Sequence, residues 1–144
     1  MSAYGYSLSL RLWHPSMDPQ AMTDALGLRP SRTWRTGGPR STPKGELLGG
    51  TNGESYWTAC IARGDWPPTP LAAAIGGALD RLADHRAFLR RVRSEGGSVE
   101  VFIGWFFDGL GGDVLPHDPL ARAGDLGLDL SFDVYPSPGP SDDG

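Results

Sequence analysis

The chain has a single cysteine, Cys60, so no intramolecular disulfide framework can hold it. It also lacks an uninterrupted run of the roughly 18 apolar residues that a membrane-spanning helix needs, because the longest candidate is broken by Gly76, Gly77 and Asp80. The first thirty residues lack the basic start and apolar run of a signal peptide. A cytoplasmic protein with no membrane partner is therefore expected. Its three histidines, His14, His85 and His117, stand in separate segments without the short spacing of a metal site. No Gly-x-Ser-x-Gly elbow occurs, and the glycine-rich runs at 37–45 and 109–112 fit neither the Walker nor the dinucleotide pattern. We expect no metal, no cofactor and no catalytic group. The net charge of −4 argues against a general nucleic-acid binder.

What is present begins with a repeat. Asp18-Pro-Gln-Ala-Met-Thr-Asp-Ala-Leu-Gly-Leu28 returns one hundred positions later as Asp118-Pro-Leu-Ala-Arg-Ala-Gly-Asp-Leu-Gly-Leu128, with six identities in eleven. Aspartate before proline starts a helix, since the carboxylate accepts orphan amide protons and proline has none to lose. Leu-Gly-Leu stops one, because glycine takes the left-handed conformation of a C-terminal cap. Each phrase is flanked by strand-like sequence, so one strand-helix-strand unit is expected to be used twice.

Tyr4, Tyr6, Leu8, Leu10 and Leu12 alternate with Gly5, Ser7, Ser9 and Arg11, the period of a strand over 4–13 with one wet face. A helix over Pro19–Leu26 follows, then an extended Arg29–Arg35 that can pair as a short strand. Six glycines and two prolines in 36–53, among few apolar groups, read as a long mobile loop. A strand spans Ser55–Arg63. The longest helix has Thr69 as N-cap and Pro70 as its first residue, places Leu71, Ile75, Ala78, Leu79, Leu82, Leu89 and Val92 on one stripe, and ends at Gly96-Gly97. Val99, Val101, Ile103, Trp105 and Phe107 then alternate with Glu100, Phe102, Gly104 and Phe106, apolar on both faces as in a central strand. A turn at Asp108-Gly109, an extended piece near Val114, the second Asp-Pro helix and a strand over Leu128–Tyr135 complete the set.

The expected fold is α+β: a mostly antiparallel sheet of about six strands with helices on one face, ferredoxin-like in arrangement. It forms a single domain over 1–135, and the Pro, Ser, Gly and Asp residues of 136–144 form a disordered tail. The face opposite the helices would show Ser7, Ser9, Arg11, Glu100, Phe102, Phe106, Asp129, Ser131, Asp133 and Tyr135. Its aromatics resemble a base-stacking platform in outline, but Glu100, Asp129 and Asp133 would repel phosphates, so nucleic acid is disfavoured.

Several groups are candidates for chemistry. Arg81, Arg86, Arg90, Arg91 and Arg93 form a basic stripe, read as a solvated helix face paired with Asp80, Asp84 and Glu95. Cys60 is read as a packed thiol. Pro30-Ser-Arg-Thr-Trp-Arg-Thr-Gly37 sets two arginines and a tryptophan at the edge of the glycine-rich segment, and both residue types are enriched at binding hot spots. Alternatively, Trp34 closes the core beside Trp57 while the arginines pair with carboxylates.

The run from Asp18 to Arg35, the later Tyr56-Trp57, the long helix and the closing Leu126–Tyr135 together resemble the bacterial family called domain of unknown function 4279, over residues 4–135. Thr36 departs from the pattern, which places a lysine before the glycine. The resemblance implies a small stand-alone bacterial protein and brings no activity with it. It singles out Arg32, Trp34, Arg35 and Trp57 as binding candidates. The first expectation is a non-enzymatic protein-binding module of the immunity type, its acidic charge suited to a basic toxin. The alternatives are a pocket beneath the glycine-rich loop, with Arg32 and Arg35 holding a small anion for binding or catalysis, and a module that self-associates through its sheet face.

Overall fold

The computed structural model describes residues 4–63, 70–107 and 113–135. Thr69, the turn at Asp108-Gly109 and the expected tail lie outside the described residues. Strand β1 (Tyr4–His14) leads into helix α1 (Pro19–Leu26), the short β2 (Arg32–Trp34), a hairpin of β3 (Pro39–Ser41) and β4 (Leu47–Thr51), and β5 (Ser55–Arg63). Helix α2 (Leu71–Leu82), a 3-10 turn at Ala83–His85, α3 (Arg86–Ser94), β6 (Ser98–Phe107), α4 (His117–Asp125) and β7 (Asp129–Tyr135) follow. This is a mixed α+β fold. One five-stranded sheet runs β2-β5-β1-β6-β7, antiparallel except for the β6–β7 pair, and β3 and β4 make a separate two-stranded ribbon.

The ferredoxin-like arrangement is not confirmed, since the inner strands β1 and β6 run antiparallel and the parallel pair lies at the β7 edge. Neither is the repeated unit. Asp18 caps α1 by accepting from the Gln20 N–H at 2.9 Å, whereas α4 begins at His117, so Asp118 lies inside its first turn. The stops do correspond: Gly27 and Gly127 both hold positive φ, at 67° and 77°. The two following strands differ in place, β2 being separated from β1 by β5 and β7 lying directly beside β6.

The alternation in β1 orders the core. Leu8, Leu10 and Leu12 are fully buried against Trp57, Ala59, Val99, Val101 and Ile103 and the apolar stripes of the helices, including Met22, Leu71, Ile75, Leu79, Leu82, Leu89 and Val92. The helical layer closes this one face of the sheet. The long helix expected from that stripe is two helices joined by the 3-10 turn at Ala83–His85, and Pro70 is the capping residue before α2 rather than its first helical residue. None of the three residues in that turn is buried, so the stripe is interrupted there, and a tighter turn can be inserted without displacing Leu82 or Leu89 from the core.

The segment 36–53 is a correction of a different kind. It forms the β3–β4 ribbon, closed by Thr42 N–H donation to the Glu46 carbonyl at 2.8 Å and by Gly45, Gly49 and Gly50 at positive φ. Glycine content that looked like loop composition is what lets this ribbon turn and twist without an apolar core of its own. Near Val114 the described residues contain no strand.

The end of α3 is locked to the end of β1. His14 is buried; its Nδ1 accepts the N–H groups of Ser16 and Met17 at 3.0 and 2.9 Å, which leaves Nε2 to donate to Glu95 at 2.8 Å. Arg91 bonds the other oxygen of Glu95 at 3.0 Å. A Cβ on Gly97 would strike the Trp13 carbonyl and come within 2.8 Å of the Val92 side chain and 2.9 Å of its carbonyl. Gly97→Ala should therefore destabilise the fold by about 2 kcal/mol or more, read from urea denaturation, because backbone must move.

Hydrogen bonds from Arg91 and His14 hold the Glu95 carboxyl below its ordinary value of 4.5. A depressed folded pKa stabilises the fold above the unfolded value, and that contribution is lost as pH falls through the folded value. The urea midpoint should drop more steeply between about pH 5 and pH 3 in the wild type than in Glu95→Gln.

Candidate functional site

β2 is an edge strand paired with β5 in the register Arg32 to Thr58, Thr33 to Trp57 and Trp34 to Tyr56. Side chains alternate across a strand, so this register divides the sequence-predicted residues between two faces. Arg32 and Trp34 lie on the face without helices. Trp57 lies on the other; it is fully buried in the core, and its Nε1 donates to Thr23 Oγ1 of α1 at 3.0 Å. Trp34 does not sit beside Trp57. Arg35 has left the strand and reaches Asp18 at 4.0 Å, while its carbonyl accepts from Asn52 Nδ2 at 3.0 Å. Thr36 donates its hydroxyl to the Pro15 carbonyl at 2.7 Å, tying the exit of β2 to the exit of β1.

On the open face the rings form a strip across three strands. Trp34 stacks on Tyr56 with centroids 4.4 Å apart and planes at 29°, and Tyr56 meets Trp13 at 5.2 Å and 46°. The Arg32 guanidinium lies 4.9 Å from the Trp34 centroid. Farther along the same face Arg11 sits 3.7 Å above Phe102 and 3.5 Å from Glu100, and Phe106 stacks on Tyr135 at 4.9 Å. Glu100 pairs in register with Asp129, and Gly104 with Asp133. Burial pushes the Glu100 carboxyl above its ordinary value, and the negative charges of Asp129 and Asp133 add to the rise against the opposing Arg11. Tyr135 is likewise raised, by burial first and then by Asp133, to which its hydroxyl donates at 3.2 Å. The face thus has an aromatic end toward β2, where Arg32 lies by Trp34, and an end toward β7 where Glu100, Asp129 and Asp133 stand among Arg11, Phe102, Phe106 and Tyr135.

Beside the aromatic end, the β3–β4 ribbon and β2 enclose a cleft of about 350 Å³ lined by Arg32, Trp34, Arg40, Ser41, Thr42 and Leu48, among others. Arg32 Nη2 donates to the Ser41 carbonyl across it at 3.1 Å. Arg35 does not line this cleft; it borders a separate depression with Thr36, Gly37 and Gly38. Arg40 is not legible from the sequence, because the glycine-rich ribbon that carries it has no apolar alternation to mark it as strand. Trp13 was legible from its parity with Arg11 in β1.

Two other expectations change. Cys60 is exposed, because its parity in β5 places it on the open face opposite Ser9. The basic stripe of α2 and α3 is mostly bonded to other elements: Arg86 to Asp125 at 2.9 and 3.0 Å, Arg90 to the Asp125 carbonyl at 2.7 Å, and Arg93 to Asp129 at 3.2 Å and the Gly127 carbonyl at 2.7 Å. Asp80 pairs with Arg122 of α4, and of the expected local pairs Arg91–Glu95 forms. Among the described residues no three His, Cys, Asp or Glu side chains are grouped to hold a metal ion. No helix there is long and apolar enough to cross a membrane.

The family model described as domain of unknown function (DUF4279) matches residues 3–137, nearly the whole chain, and the chain belongs to that family. No curated protein and no solved structure matches it.

The placement of the two tryptophans separates their roles. Trp57→Ala should cost about 3 to 5 kcal/mol by chemical denaturation, as loss of a large core side chain does. Trp34→Ala removes an edge-strand ring stack and should cost about 1 kcal/mol in the same measurement.

Proposed function

We propose that this member of the DUF4279 family is a non-enzymatic protein-binding module of the immunity type, acting in the cytoplasm, that uses the helix-free face of its sheet to hold a basic, toxin-like protein. The observation that carries the reading is the face itself: Trp34, Tyr56 and Trp13 in one strip, with Glu100, Asp129 and Asp133 at the other end. The rings of Trp34 and Trp13, half-buried and braced by the buried Tyr56 between them, lose little side-chain freedom on binding, and tryptophan and arginine concentrate binding energy. A cation from the partner near Glu100 would relieve the repulsion that Asp129 and Asp133 impose on it. The chain's net charge of −4 has the sign that speeds encounter with a basic protein. Arg32 borders the aromatic end, Arg35 follows Trp34 at the exit of β2 beside Asp18, and Trp57 supports β5 from the core side.

Affinity capture from a lysate of the cells that make the protein, read by mass spectrometry, tests this. Wild type should retain a basic protein in stoichiometric amount. Folded Trp34→Ala/Arg35→Ala and Glu100→Gln/Asp129→Asn variants should each lose it, and raised salt should weaken it. An empty capture, or retention of the chain's own copies alone, would contradict the proposal, the latter pointing to a self-associating module.

A further inference from the structure

We infer that the cleft between β2 and the β3–β4 ribbon is a site for a small organic anion, a carboxylate or phosphate monoester carried on an apolar or aromatic body. The inference does not rest on the protein-binding reading, since Arg40, Ser41 and Leu48 belong to the ribbon and not to the five-stranded sheet.

Charge comes first. Arg32 and Arg40 both line the cleft, and among the described residues neither has a carboxylate partner within 4.0 Å. Each is steered by a backbone carbonyl instead, Arg32 by Ser41 at 3.1 Å and Arg40 by Gly49 at 3.4 Å. A guanidinium has five N–H donors, so these contacts leave several on each side chain for an anion, and the side chains are partly positioned before it arrives. The Arg32 guanidinium also lies 4.9 Å from the centroid of the Trp34 ring. Two unneutralised guanidiniums facing one cavity create a local positive potential within an acidic protein.

Shape and apolar surface come second. The volume of about 350 Å³ lies within the range of small-molecule pockets. Leu48, on a ribbon that has no core, is 52 % exposed and forms part of the wall. An apolar ligand body against Leu48 and Trp34 would remove that surface from water, while the hydroxyls of Ser41 and Thr42 offer polar contacts at the rim. One ligand would so bridge the sheet edge and the ribbon, adding to the Arg32–Ser41 hydrogen bond that already joins them.

The test is isothermal titration of the purified full chain with 1-naphthyl phosphate and with 2-naphthoate, each half of the chemistry being controlled by inorganic phosphate and 2-naphthol. At least one of the two ring-bearing anions should bind with a sub-millimolar Kd, and which one does so tells phosphate from carboxylate. Binding should weaken about tenfold or more in Arg40→Ala and in Arg32→Ala and be unchanged in Arg35→Ala. Leu48→Ser should reduce the advantage of the ring-bearing anion over inorganic phosphate. Arg40 is exposed, so its variant tests the cleft without disturbing the core. Absence of binding by both anions up to about 10 mM, or binding indifferent to Arg32 and Arg40, would overturn the inference. So would inorganic phosphate or 2-naphthol binding as tightly as the complete anion.

Discussion

The strict alternation of side chains along β1 decides which face of the sheet is closed and which stays open. Leu8, Leu10 and Leu12 turn toward the helices and Ser7, Ser9 and Arg11 turn away. Antiparallel pairing on both sides copies that phase into the neighbours: Leu12 stands opposite Trp57 and Val99, Leu10 opposite Ala59 and Val101, and Arg11 opposite Thr58 and Glu100. A slip of one residue would send Arg11 into the core and every leucine into water, so the register is strongly specified. Pairing carries the same phase outward to Trp34 in β2 and to Asp129, Asp133 and Tyr135 in β7. The open face is thus a consequence of the core.

The helical layer is held to the sheet by more than its apolar stripe. Arginines of α3 reach α4 and the turn before β7, so the parallel edge of the sheet is tied to the helices through Asp125, Gly127 and Asp129. Each exposed pair contributes little alone, and the bonds to backbone carbonyls add direction rather than much energy. At the C-terminal end of α3, the imidazole of His14 joins the exit of β1 to Glu95. These polar ties fix the positions of segments whose apolar side chains alone would allow sliding.

Much of this was readable in the sequence where periodicity is long. The phases of β1 and β6 and the helix-facing leucines follow from alternation and helical spacing, and the ten residues expected on the open face occupy it together with Trp13, Tyr56 and Cys60. The ribbon at 39–51 was not readable, because backbone bonds and positive-φ glycines build it and no apolar pattern marks it. The split of Trp34 from Trp57 depends on the pairing of β2 with β5, a contact between segments distant in sequence. The same is true of the arginine partners: Asp80 is near Arg81 in sequence, yet the fold brings it to Arg122. Asp118, expected as the cap before a helix starting at Pro119, lies inside α4 instead, because that helix starts two residues earlier at His117 with Pro116 as its cap.

Cys60 gives the most direct measurement of this one-sided architecture, since it is the chain's single thiol and sits in β5 on the open face. Its reaction with a disulfide reagent should be followed in native protein and in urea. The account predicts native reaction within about tenfold of the unfolded rate, as for an exposed thiol. Reaction that proceeds only as fast as the protein unfolds would contradict it, because the face would then be closed.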